Sequence, residues 1–92
     1  MEIRWTEPAV HDLTQICDYI EQHDGPEIAR RIAISVWQRI ATLTSFPQRG
    51  RTGRKQATRE LVLGNLPYVA VYRIRKDVVE IDRILHGAQK WP

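Results

Sequence analysis

Apolar residues recur along this chain with two different periods, and the change falls near its middle. In "EIRWT", Ile3 and Trp5 alternate with Glu2 and Arg4, the pattern of a strand with one buried face. Thr6 is placed to cap a helix, Glu7 suits the positive end of its dipole, and Pro8 falls in a first turn where its missing N–H costs nothing. Ala9, Leu13, Ile16, Cys17 and Ile20 then form one helical stripe, which "HDGP" ends. Gly25 can take the left-handed conformation that closes a helix, and Pro26 suits the first turn of the next. The second helix carries Ala29, Ile32, Ala33, Val36, Trp37, Ile40 and Leu43 on one face to about Thr44, with Arg30, Arg31, Gln38 and Arg39 turned away. So short a connection makes the two helices an antiparallel hairpin.

Beyond the stretch "SFPQRGRTGRKQATREL" the period changes. "TRELVLG", "YVAVYRI" and "VVEIDRILH" are rich in Val, Ile and Tyr and are separated by the turn-like "NLP" and "RKD", so three antiparallel strands are expected. The order is β-α-α-β-β-β. This is an α+β domain in which an N-terminal helical hairpin covers one face of a small, largely antiparallel sheet. A chain of 92 residues holds one hydrophobic core, so residues 1–92 are read as a single domain.

Composition narrows the chemistry. No apolar run reaches the roughly 18 residues of a membrane span, and "MEIRWTEPAV" lacks the basic start and apolar stretch of a secretory signal, which points to the cytoplasm. Cys17 is the only cysteine, so a disulfide within the chain and a four-cysteine metal site are excluded, and a buried apolar thiol is expected. Neither a metal nor a cofactor is expected, and His11 and His23 read as exposed surface residues.

Charge is unevenly placed. Residues 1–45 hold 4 Lys/Arg against 7 Asp/Glu, and residues 46–92 hold 10 against 4, so a net charge of +3 conceals halves of −3 and +6. Arg49, Arg51, Arg54, Lys55 and Arg59 crowd the basic stretch with no carboxylate before Glu60. One face of the fold is therefore expected to meet something anionic, either phosphate or carboxylate.

Templates for nucleotide binding, zinc proteolysis and serine nucleophiles are absent from the sequence. What remains fits metal-free RNA cleavage, which needs a base, an acid and cations around a pentavalent phosphorane. His86 is the candidate acid or base, because its ordinary pKa lies near neutrality. Arg59, Arg73, Arg83 and Lys90 are the candidate cations. The competing structural reading has Arg73 and Arg83 bracing the sheet against Glu60, Glu80 or Asp82.

"FPQRGRTGR", "TRELVLGNLPYVAVYRI" and "VVEIDRILHGAQKWP" resemble, in order and spacing, the toxins of the RelE/ParE superfamily of type II toxin–antitoxin modules, and the N-terminal strand and hairpin fit as well. The resemblance implies one of two activities. RelE-like members cut mRNA on the ribosome, whereas ParE-like members poison DNA gyrase. RelE-like ribonucleases carry basic residues on the strands where Glu60, Val62 and Val69 stand here, and Gln89 replaces an expected tail arginine with no tyrosine after Tyr72. An uncharged valine cannot neutralise a phosphorane, so the resemblance favours the ParE-like branch.

The resemblance further implies an acidic, partly disordered cognate antitoxin. Arg49, Arg51, Arg54, Lys55, Arg59, Arg73 and Trp91 are the expected contacts to it or to the target, and an apolar groove between hairpin and sheet is expected to take its helix or strand. A ribosome-dependent ribonuclease using His86, Arg59, Arg83 and Lys90 is the alternative. A degenerate toxin that retains only antitoxin binding is a third.

Overall fold

The two periods resolve into a helical hairpin laid on one sheet. In the computed structural model, which describes residues 1–91, the chain runs β1 (Glu2–Trp5), α1 (Glu7–Asp24), α2 (Pro26–Ala41), a 3-10 turn (Thr42–Thr44), β2 (Arg51–Thr52), β3 (Arg59–Val62), β4 (Tyr68–Arg75) and β5 (Val78–His86). The strands are ordered β1-β5-β4-β3-β2. Neighbours are antiparallel except β1 and β5, which lie far apart in sequence and pair in parallel. The α+β order is the expected one with a short strand, β2, added inside the basic stretch. Pro92 of the "HGAQKWP" motif lies outside the described residues.

Thr6 begins α1 as its chemistry requires. Its Oγ1 accepts the Ala9 N–H at 3.2 Å, its own N–H donates to the Ile81 carbonyl, and its hydroxyl donates to the Asp82 carbonyl at 3.1 Å. The cap therefore also fastens the helix to β5. Gly25, at φ 93°, closes α1 and opens α2, a conformation that costs a side-chain-bearing residue more. The second helix stops at Ala41, three residues short of expectation, and the chain tightens into a 3-10 turn in which the Thr42 hydroxyl donates to the Arg39 carbonyl at 2.6 Å.

Ala9, Val36, Ile40 and Leu43 of the helical layer bury against Leu61, Ala70, Tyr72, Val79, Ile81 and Ile84 of the sheet. Trp37, expected on this face, is instead 59% exposed. Val36, Ile40 and Leu43 already fill the inward stripe, and a residue one step further on is turned about 100° away. On β5 a bulge interrupts the alternation: Val71 pairs with Arg83 and Tyr72 with Ile81, leaving Asp82 as the extra residue. Arg83 thus joins Arg73 on the sheet face away from the helices, while Ile84 returns to the core.

Tyr72 ties the core to the loop before β2. The side chain is fully buried, so its hydroxyl must find partners: it donates to the Pro47 carbonyl at 2.7 Å and accepts the Gly50 N–H at 2.9 Å. Burial raises its pKa, although the Gly50 N–H and Arg59 oppose the rise, so it is a protonated donor at neutral pH. A Cβ on Gly50 would stand 2.7 Å from the tyrosine ring, so only glycine permits this approach. Replacing Tyr72 by Phe strands the buried partners of its hydroxyl and is expected to cost about 1–3 kcal/mol. The urea midpoint should fall with the denaturant slope unchanged, and Gly50→Ala should lower it too.

Candidate functional site

Glu60 organises the basic stretch. Leu61 faces the core, so its neighbour Glu60 points to the opposite face of β3, where it is only 1% exposed. A carboxylate so buried must be paired. Its Oε2 accepts the Arg54 N–H at 2.9 Å and Arg54 Nε at 3.2 Å, and Oε1 accepts Arg51 Nη2 at 3.1 Å. Burial alone would raise its pKa, but the Arg54 N–H and the two guanidinium groups outweigh this and hold it below the ordinary carboxylate range. Arg51 also pairs across the strands with Glu60, which creates β2. Arg59, on the helix side, donates to the Gly50 carbonyl at 2.8 Å and the Gln48 carbonyl at 3.3 Å. Three of the five cations in the stretch are therefore engaged by the fold.

The outer face of the sheet gathers a second group. Arg73 Nε donates to Asp82 at 2.7 Å. Arg83 makes a two-pronged pair with Asp12 of α1, at 2.7 and 3.0 Å, and the Ile84 N–H donates to the same carboxylate at 3.0 Å. That pairing raises the Arg83 pKa. Both arginines brace the structure, and Arg83 does so through a helix residue outside the set of expected partners. Trp91 folds back over this face, with Lys55 Nζ 5.7 Å and the Arg83 guanidinium 5.8 Å from its ring. Lys55, Arg73, Arg83 and Trp91 line one shallow depression together with Arg75.

The four candidates for phosphate chemistry do not converge. His86 pairs with Tyr68 on β4 and Arg59 with Tyr72, four residues along the same strand, or about 13 Å. Arg83 stands on the opposite face, and Lys90 is exposed in the tail. His86 itself is exposed and packs edge-on against Tyr68. Its Nδ1 accepts the Ala88 N–H at 3.1 Å, so the neutral ring carries its proton on Nε2. Among the described residues no carboxylate pairs with Arg49, Lys55 or Lys90.

The seam between hairpin and sheet, expected to be an open groove, is filled by the core, and depressions lie at its margins. Cys17 is half-buried rather than buried, and burial with the nearby Asp18 and Glu21 raises its pKa and keeps the thiol protonated. Periodicity and charge do not single out Asp12, Tyr72 or Phe46. A tyrosine among buried strand positions is a signal that its hydroxyl has a partner, and Phe46, 63% exposed in a basic loop, belongs to no periodic element. Asp12 on the polar side of α1 gives no such signal.

The fold is thus a helical hairpin on a five-stranded mixed sheet, with a basic loop and a folded-back tail. Residues 3–91 match the family described as the ParE toxin of the type II toxin–antitoxin system, parDE, and the chain belongs to that family. It is 43% identical over 90 residues to the Sinorhizobium fredii protein Y4kP, covering 98% of this chain and 92% of that one. It is 39% identical over 88 residues to Toxin RelE2 of Caulobacter vibrioides, covering 96% and 97%. A chain of the chromosomal ParDE TA system from P. aeruginosa superposes with a TM-score of 0.87 at 27% identity, over 94% of this chain and 95% of that one.

The lowered Glu60 pKa sets a pH dependence. A carboxyl with a folded pKa below its unfolded value stabilises fully above the unfolded pKa and loses that contribution as pH falls through the folded one. Glu60→Gln should therefore destabilise the protein at neutral pH by about 1–3 kcal/mol. In denaturant titrations the gap from the parent should close as pH drops through and below the ordinary carboxylate range.

Proposed function

We propose that this ParE-family toxin arrests growth by binding DNA gyrase, and that a cognate acidic antitoxin neutralises it. The observation that carries the reading is the engagement of its cations: Arg51 and Arg54 by Glu60, Arg59 by backbone carbonyls, Arg73 by Asp82 and Arg83 by Asp12. A phosphorane needs convergent, available charge, and here charge is spread over two faces and satisfied in advance. What the molecule offers instead is a surface: Arg49 and Lys55 of the loop, and the tail with Trp91. The structural neighbour from P. aeruginosa is part of a ParDE system, which supports an antitoxin partner. The excess of positive charge after residue 45 suits an acidic one.

One observation favours a second reading, a ribosome-dependent ribonuclease. His86 is exposed at a strand end with Nε2 available, and the relative from Caulobacter vibrioides is named Toxin RelE2. Purified toxin is expected to inhibit gyrase supercoiling while leaving mRNA intact in a reconstituted translation system. His86→Gln should then remain toxic on induction. Site-specific mRNA cleavage that His86→Gln abolishes would establish the ribonuclease instead. No growth arrest at all would leave a degenerate toxin that only binds antitoxin.

A further inference from the structure

We infer that Phe46 is the anchor onto which an acidic antitoxin segment docks an apolar side chain, with Arg49 receiving a carboxylate beside it. The inference rests on the reading that the neutralising partner is acidic. Phe46 is the most exposed large apolar residue of the described chain, at 63%. Its loop is nevertheless fixed from beneath. The Phe46 N–H donates to the Thr42 carbonyl at 3.0 Å and its carbonyl accepts the Arg49 N–H at 3.1 Å. Tyr72 holds the Pro47 carbonyl, and Arg59 holds those of Gln48 and Gly50. A loop already ordered by a buried tyrosine and a strand arginine loses little further entropy on binding, so an aromatic presented there is preorganised for contact.

Charge selects the occupant. Phe46, Pro47, Gln48 and Arg49 line one largely apolar depression. No Asp or Glu occurs anywhere from Ile28 to Arg59. The Met1 ammonium donates to the Thr44 carbonyl at 3.0 Å, two residues from Phe46, and Glu2 beside it is paired with Arg4. A second copy of this chain docked symmetrically on this face would bring the same cations to the contact and be repelled. Single-stranded nucleic acid can stack a base on an exposed ring, but the depression beside Phe46 offers a phosphate backbone one cation, Arg49, in an otherwise uncharged and largely apolar lining. The complement is a peptide with an apolar residue flanked by carboxylates, which is what an acidic segment that folds on binding supplies.

The test measures binding of the full-length antitoxin encoded beside the toxin, by calorimetry at low and physiological salt, to the parent, Phe46→Ser, Arg49→Glu and Trp37→Ser. Phe46→Ser should weaken binding at least about tenfold at both salt concentrations, as loss of an interface anchor does. Arg49→Glu should weaken it chiefly at low salt and flatten the salt dependence. Trp37→Ser, which removes a comparably exposed aromatic from α2, should change little. Thermal melts confirm that each variant folds. If the parent binds tightly but Phe46→Ser and Arg49→Glu bind as well as it does, the anchor is refuted while the acidic-partner reading stands. If the parent does not bind, both fall. Phe46→Ser that keeps antitoxin affinity but no longer inhibits gyrase, or that abolishes self-association, would assign the patch to another partner and overturn the inference.

Discussion

A single carboxylate, Glu60, sits on the face of the sheet away from the helices with about a hundredth of its surface exposed. Leaving such a charge unpaired would cost several kcal/mol, so cations must come to it. Arg51 arrives by pairing its backbone across from Glu60, and Arg54 by curling so that both its amide and its side chain reach the same oxygen. The consequences extend along the chain. The curl sets Lys55 over the outer face, where it meets the Trp91 ring, and the same ring is met by Arg83, itself locked to Asp12. A loop that reads as unstructured and a tail that reads as an appendage are thus connected through one buried negative charge.

The helix side has its own fastening, which works by different chemistry. Tyr72 and Arg59 lie opposite each other on β4 and β3, and both spend their polar groups on the segment from Pro47 to Gly50. The tyrosine supplies a neutral hydroxyl that both donates and accepts. The arginine supplies donors only. Together they satisfy one amide and three carbonyls that would otherwise lie at a sheet end without partners, which ties "PQRG" to Tyr72 and Arg59 in the same small fold. The glycine is required because the ring occupies the space of its Cβ. Packing here dictates sequence, and the exposed Phe46 is held outward by that rigidity, ready for a partner.

Most of the architecture was legible because it follows from periodicity. Thr6, Gly25 and Pro26 mark helix ends by their own conformational preferences, and the three long strands announce themselves by Val, Ile and Tyr. What periodicity could not supply were the contacts between residues distant in sequence. Asp12 meets Arg83 across 71 positions, and nothing local to α1 distinguishes it from Asp18. β2 is two residues long and exists because of a cross-strand ion pair, so no run of β-forming side chains precedes it. Trp37 shows the converse limit, since a hydrophobic residue adjacent to an inward stripe is easily counted within it. The candidate site was less legible than the fold for the same reason: a list of cations does not say which of them the fold has already used.

That distinction separates two roles of charge that a count merges. Steering of an approaching partner depends on the summed field, which acts over about 8 Å at physiological ionic strength and includes every paired arginine together with its carboxylate. Docking depends on the donors still facing outward after folding. Glu60 and Asp82 are already subtracted in the +6 of the later residues, so their pairs leave the net charge of that half unchanged. Asp12 is different, because it belongs to the acidic half and neutralises Arg83 across the boundary. The loop therefore keeps an excess of positive charge, because Arg51 and Arg54 share a single carboxylate. An anionic partner drawn by this field meets first the loop end of the molecule, where Arg49 is without a carboxylate among the described residues and Phe46 is the apolar surface beside it.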